Sequence, residues 1–307
     1  MTGRAHAGAP AASRPRAGDP VAYLCLTGAV LIWGGSHLAI RVALYSFTPL
    51  ALAMVRLALS SLCLGAYARW AGETFAVPRR DVLPLLGLGI LSFTVFQFFI
   101  NTAQTFTTPA HASLMVGTMP IFAALAARVL LRERITFLRA AAILMAFVGV
   151  AIVILGSARG AGGARDVALG DLLALGTAIV WALASVLSKP YLRRYSTAKF
   201  STLTLFGGTL SAIPFGAPAA LRISWGAVSG TGLGLLLYLS VCSTSMANAM
   251  WNRGISAVDV SQAAIFGNLI PVATLILSAL LLGERITLPL VGGGALVIAG
   301  AYLTQRT

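Results

Sequence analysis

Ten apolar runs, each close to the length of a bilayer-spanning helix and separated by short polar breaks, leave this chain few ways to fold. They fall at roughly 22–44, 50–70, 82–101, 110–131, 137–156, 169–189, 199–217, 228–251, 260–282 and 286–304. About twenty apolar residues in a helix match the hydrocarbon thickness of a membrane. The runs are continuous and lack the in–out alternation of barrel strands, so helices are the spanning element they specify. The chain is 58% hydrophobic and 10% charged, against about 25% charged in an average soluble domain. Lipid therefore has to solvate it. The expected fold class is an all-α membrane protein.

The sequence also repeats itself. Arg134-Ile135-Thr136 after Glu133 returns as Arg285-Ile286-Thr287 after Glu284, an offset of 151 residues. At the same offset Asn101 matches Asn252, Ala112 matches Ala263, Pro120 matches Pro271 and Gly149 matches Gly300. A fixed offset marks two copies of one structural unit. Each copy holds five spans, and five is odd, so the second enters the membrane upside down. The expectation is two inverted five-helix repeats, 22–156 and 169–305, with a flexible outer linker at 157–168 and a disordered cytoplasmic tail at 1–20. Inverted repeats of this kind build transporters, with a substrate site near the pseudo-two-fold axis.

A net charge of +14 suggests a nucleic-acid partner, but no soluble basic domain is present to host one. The basic residues instead follow the positive-inside rule. With the N-terminus inside, 15 Lys and Arg fall on the inner side and 5 on the outer, which puts both termini in the cytoplasm. Cys25, Cys63 and Cys242 lie in separate apolar runs with no metal-ligand spacing, so no metal and no cofactor are expected. The carboxylates fall at or between the ends of the runs, and Arg41, Arg56 and Lys189 are expected to snorkel to the interface.

Several polar side chains stand where lipid should not tolerate them. Thr94, Gln97, Asn101 and Gln104 share one helical face in the third run, and Tyr238, Ser245, Asn248 and Asn252 share one in the eighth. Three of these pairs are repeat mates. Two symmetry-related stripes either line a substrate path or bond helix to helix. Trp33, Ser36 and His37 in the first run, with Trp181 and Ser185 in the sixth, extend the path; an indole can stack on a ligand while its N–H finds an acceptor. Gln262 and Asn268 are further lining candidates. Pro120 and Pro271 sit mid-run and remove a backbone hydrogen bond each, which makes them hinge candidates. Ala142/Ala146 and Ala295/Ala299 form small-residue faces for packing the fifth and tenth runs on each other or on a second copy, so the chain is a monomer or a homodimer.

Trp33-Gly34-Gly35-Ser36 in the first run, Arg56 in the second, Pro120 and Leu131-Arg132-Glu133-Arg134-Ile135-Thr136 in the fourth, with Pro271 and Leu282-Gly283-Glu284-Arg285-Ile286-Thr287 in the second copy, resemble an EamA-type permease of the drug/metabolite transporter superfamily. The resemblance covers about residues 22–305. It implies ten helices, a central cavity lined by spans one, three, four, six, eight and nine, and export of amino acids or other small metabolites across the bacterial inner membrane. The second copy departs from it: Leu205 stands where Arg56 maps, and Ala182-Leu183-Ala184 follows Trp181. Small multidrug antiporters of that superfamily use an intramembrane Glu, which these runs lack. A zwitterionic or neutral substrate moved by alternating access is the expectation, with facilitation or proton coupling through His37. A carrier of nucleotide sugars or phosphorylated metabolites is the alternative, and multidrug efflux a weaker one. No nucleophile–base pair, paired carboxylates or phosphate loop points to an enzyme.

Overall fold

A computed structural model describes residues 20–132, 134–157, 164–255 and 260–306, with the backbone alone for 157, 164, 165, 252, 255 and 260–265. All regular structure among the described residues is helical. The helices are α1 (Pro20–Ala43), α2 (Pro49–Trp70), α3 (Arg79–Phe106), α4 (Pro109–Leu130), α5 (Phe137–Ser157), α6 (Ala164–Leu192), α7 (Thr197–Ala220), α8 (Gly230–Leu237 continuing through Ala247–Ile255), α9 (Val260–Leu282) and α10 (Leu288–Arg306). Nine of them are long and apolar enough to cross a membrane, and α9 is apolar over Phe266–Leu282. The 1–19 tail, Glu133 and residues 158–163 of the linker lie outside the described residues. The last part of the predicted linker is not a loop, because α6 already starts at Ala164 with Asp166 in its first turn.

Hydroxyl side chains start the helices. Thr48 accepts from the Ala51 amide, Thr108 from His111, Ser196 from Lys199 and Ser229 from Gly232. Pro49 and Pro109 follow the two threonine caps. These caps satisfy amides that the hydrocarbon would leave unpaired.

The helices pair as a two-fold axis demands. α5 packs on α10, α2 on α7 and α4 on α9. The other contacts come in exchanged sets: α1 with α8 as α6 with α3, α1 with α9 as α6 with α4, and α2 with α8 as α7 with α3. The α5–α10 contact is the closest. A Cβ on Gly149 would stand 2.5 Å from the Gly293 carbonyl oxygen, and one on Gly293 would stand 2.6 Å from that of Gly149. Ala142 and Ala146 meet Gly300, as the small-residue reading of the fifth run requires. On α10 the contact face is Gly293, Val297 and Gly300, while Ala295 and Ala299 are exposed. Glycine rather than alanine is needed where backbones nearly touch. Gly149→Leu is expected to cost about 3 kcal/mol or more, since neither backbone can give way. Thermal unfolding in detergent checks this.

α4 is broken. Gly117 and Thr118 form a turn, and the chain restarts at Met119 with Pro120 in the new first turn. α9 instead runs unbroken through Pro271. The two features touch: a Cβ on Gly117 would be 3.0 Å from the Pro271 ring. Both α3 and α8 contain a wider π-helical stretch, Ile90–Val95 and Tyr238–Met246. Such stretches rotate the side chains that follow relative to an unbroken α-helix.

Candidate functional site

The middles of α1, α2, α3 and α8 converge on Arg56, which does not snorkel. It is 6% exposed, and its donors are taken by neutral groups of two other helices. Nε donates to Thr244 Oγ1 (3.0 Å), Nη1 to Gln97 Oε1 (3.2 Å) and Nη2 to Ser243 Oγ (3.3 Å). No carboxylate pairs with it among the described residues. The expectation of an interfacial arginine fails because α3 and α8 supply three acceptors deeper in the bundle.

Trp33 lies beside this cluster. Its indole N–H donates to the Ser243 carbonyl (3.0 Å), and its ring packs on Trp251 with centroids 5.3 Å apart. Tyr238 donates to the Ile32 carbonyl (2.7 Å). Ser36 donates to the carbonyl of Trp33, one turn back on its own helix. Asn248 bonds the Thr244 carbonyl of its own helix and stays half-buried.

Three predicted lining residues are used as helix–helix bonds instead. Thr94 donates to the Gly208 carbonyl on α7 (2.6 Å) and contacts Ser211. Ser245 reaches the carbonyls of Ser60 and Ser240. Asn268 donates to Gln305 of α10 (3.3 Å). Ser245 lies within the π stretch of α8, where Ser243 and Thr244, and not Ser245, face Arg56. The side chains of Asn252 and Gln262 lie outside the description.

One end of the interior is sealed. At the face that carries the α1–α2 turn, His37 Nδ1 meets Gln104 Nε2 (3.2 Å), and Arg41 donates to the Gln104 carbonyl (2.5 Å). Arg41 thus caps the end of α3 rather than only reaching for solvent. Asn101 donates to the Pro49 carbonyl (3.2 Å). Asp171, expected near a loop, sits one coil deeper because α6 starts early; it is fully buried, accepts from Thr107 (2.6 Å) and lies 3.0 Å from His111 Nδ1.

Among the described residues, the opposite end, at the α6–α7 turn, is open. α1 meets both α3 and α4, but among the described residues α6 makes no more than marginal contact with α8 or α9. Trp181 records the gap. Its helical neighbours Thr177, Ala178 and Ala184 are buried, so it lies on the inward face of α6. Yet it is 41% exposed, and Ser185 beside it is half-buried. Its repeat mate Trp33 is covered by Trp251. The loops at this end are pinned outside the gap: Arg194 and Tyr195 both bond Asp81, which raises the Tyr195 hydroxyl pKa and holds the Arg194 guanidinium further above its usual range.

A bundle of two exchanged halves, a polar interior and one open end define a membrane carrier. A family model described as the EamA-like transporter family matches residues 20–155 and again 168–306, and the chain belongs to that family. Similar proteins include an uncharacterized transporter of Archaeoglobus fulgidus, 26% identical over 92% of this chain and 98% of that one. A probable terminal-alkyne amino-acid exporter of Streptantibioticus cattleyicolor is 27% identical over 90% and 91%. A probable amino-acid metabolite efflux pump of Escherichia coli is 28% identical over 89% and 91%. A solved crystal structure superposes with a TM-score of 0.64 at 22% identity, covering 92% of this chain and 95% of that one, and shows the shared fold. The chain is thus a multi-pass membrane transporter and not an enzyme.

Proposed function

We propose that this transporter exports amino acids or related zwitterionic and neutral metabolites across the bacterial inner membrane by alternating access. The observation that carries the reading is the broken symmetry: among the described residues, the contacts of α1 with α3 and α4 have no more than a marginal counterpart in α6 with α8 and α9. A carrier of two inverted halves holds one gate shut while the other is open, and exchanges the two arrangements in transport. The Gly117–Thr118 break beside Pro271 supplies the joint about which α4 and α9 rock. With both termini cytoplasmic, the α6–α7 face is the inner one, and the open end faces the pool from which an exporter loads. Relatives named as amino-acid exporters support the substrate class. A phosphorylated substrate would need several interior cations, and among the described residues the site at the middles of α1, α2, α3 and α8 holds Arg56.

Purified protein in proteoliposomes preloaded with unlabelled L-amino acids should take up a radiolabelled amino-acid mixture by saturable counterflow. Ion-channel currents, or no counterflow, would reject the proposal. An imposed pH gradient that drives transport in the parent but not in His37→Ala would place the coupling at His37.

A further inference from the structure

Among the described residues, Arg56 is a buried cation without a counter-ion. Holding it there costs several kcal/mol unless something else compensates. A guanidinium has five N–H donors in a rigid fork. Three are used, on Thr244, Gln97 and Ser243. One N–H on each terminal nitrogen remains, and a guanidinium with free donors is the side chain suited to a carboxylate.

A second observation lies on α3. Asn101 is fully buried, and its Oδ1 has no hydrogen-bond partner. The amide cannot be turned round, because its Nδ2 donates to the Pro49 carbonyl, which only accepts. Gln104 is also fully buried: one end of its amide meets His37 and the other has no partner. An orphan buried acceptor costs about 1–3 kcal/mol. Gln97, which holds Arg56, and Asn101 are one helical turn apart, about 5.4 Å along the axis. Arg56 and the Asn101 amide therefore meet α3 at adjacent turns of one face, the register that a ligand carrying both a carboxylate and an ammonium requires.

We infer that Arg56 and the free amide oxygen of Asn101 form an amino-acid head-group site, with the guanidinium on the carboxylate and the amide oxygen on the ammonium. The inference rests on the export reading and narrows it to substrates that carry both groups. A single interior guanidinium matches one negative charge, not the two of a phosphate monoester. Among the described residues the site occurs once: the buried apolar Leu205 stands where Arg56 maps in the second copy.

The test uses the full chain in proteoliposomes. For the radiolabelled amino acid it carries best, the parent compound, its carboxamide and its N-acetyl derivative compete for uptake. Both derivatives are expected to compete at least about a hundredfold more weakly than the parent, as at sites built to bond a group the analogue lacks. Arg56→Gln is expected to lower transport by a similar factor while eluting as a folded species. Should that variant fail to fold, the competitor series on the unmodified chain decides alone. A carboxamide that competes as well as the acid, or a folded Arg56→Gln that transports normally, overturns the inference and leaves export standing. No carriage of any amino acid by the parent chain removes the export reading and the head-group site with it.

Discussion

Arg56→Met is expected to stop export while leaving the protein as stable as the parent or more so. Methionine fills much of the same volume and carries no charge. Removing a desolvated guanidinium that faces only neutral groups is neutral to about 3 kcal/mol stabilising. The hydrogen bonds lost are to three acceptors, of which Thr244 keeps its own bond to the Leu239 carbonyl. Gln97 and Ser243 are left to find water from the open end. Thermal unfolding in detergent, together with counterflow on the same preparation, reads both effects. A variant that unfolds well below the parent would mean that Arg56 serves the fold and not the substrate.

Asp171→Ala should act in the opposite sense. Asp171 ties α6 to the α3–α4 corner through Thr107 and His111 at the sealed face. Deleting the fully buried Asp171 costs about 1–3 kcal/mol, because the Thr107 hydroxyl loses its acceptor in a buried place. Asp171→Asn keeps an acceptor for Thr107 and should cost clearly less. Equal unfolding temperatures for Asp171→Ala and the parent would show that this cluster does not hold the seal.

The architecture was legible because period and offset are coarse signals. Apolar runs of bilayer length, five per copy, need only length and composition. Trp33, His37, Gln97, Asn101 and Gln104 were found because an amide or indole in hydrocarbon is costly wherever it points. Their partners were harder. Arg56 reads as a snorkelling residue until Thr244 and Gln97 are placed beside it, and those contacts join residues 188 and 41 positions away. Ser243 and Thr244 were missed, and Ser245 chosen, because sequence gives no sign of the π stretch at Tyr238–Met246. Asp171 reads as the end of the run 169–189 because the glycine-rich linker obscures the start of α6 at Ala164. Asn268 reads as a lining candidate because it is a polar residue in an apolar run, which says nothing of Gln305 on α10.

Labelling of Trp181→Cys, with Cys25, Cys63 and Cys242 replaced, tests most directly whether the bundle holds an aqueous interior open at one end. A membrane-impermeant maleimide should modify it in inside-out vesicles and not in right-side-out vesicles. Leu210→Cys, more exposed than Trp181 but on the outer surface of α7, should react in neither. Modification of Trp181→Cys only from the outside, or no modification from either side, would contradict an interior that opens to the cytoplasm beside α6.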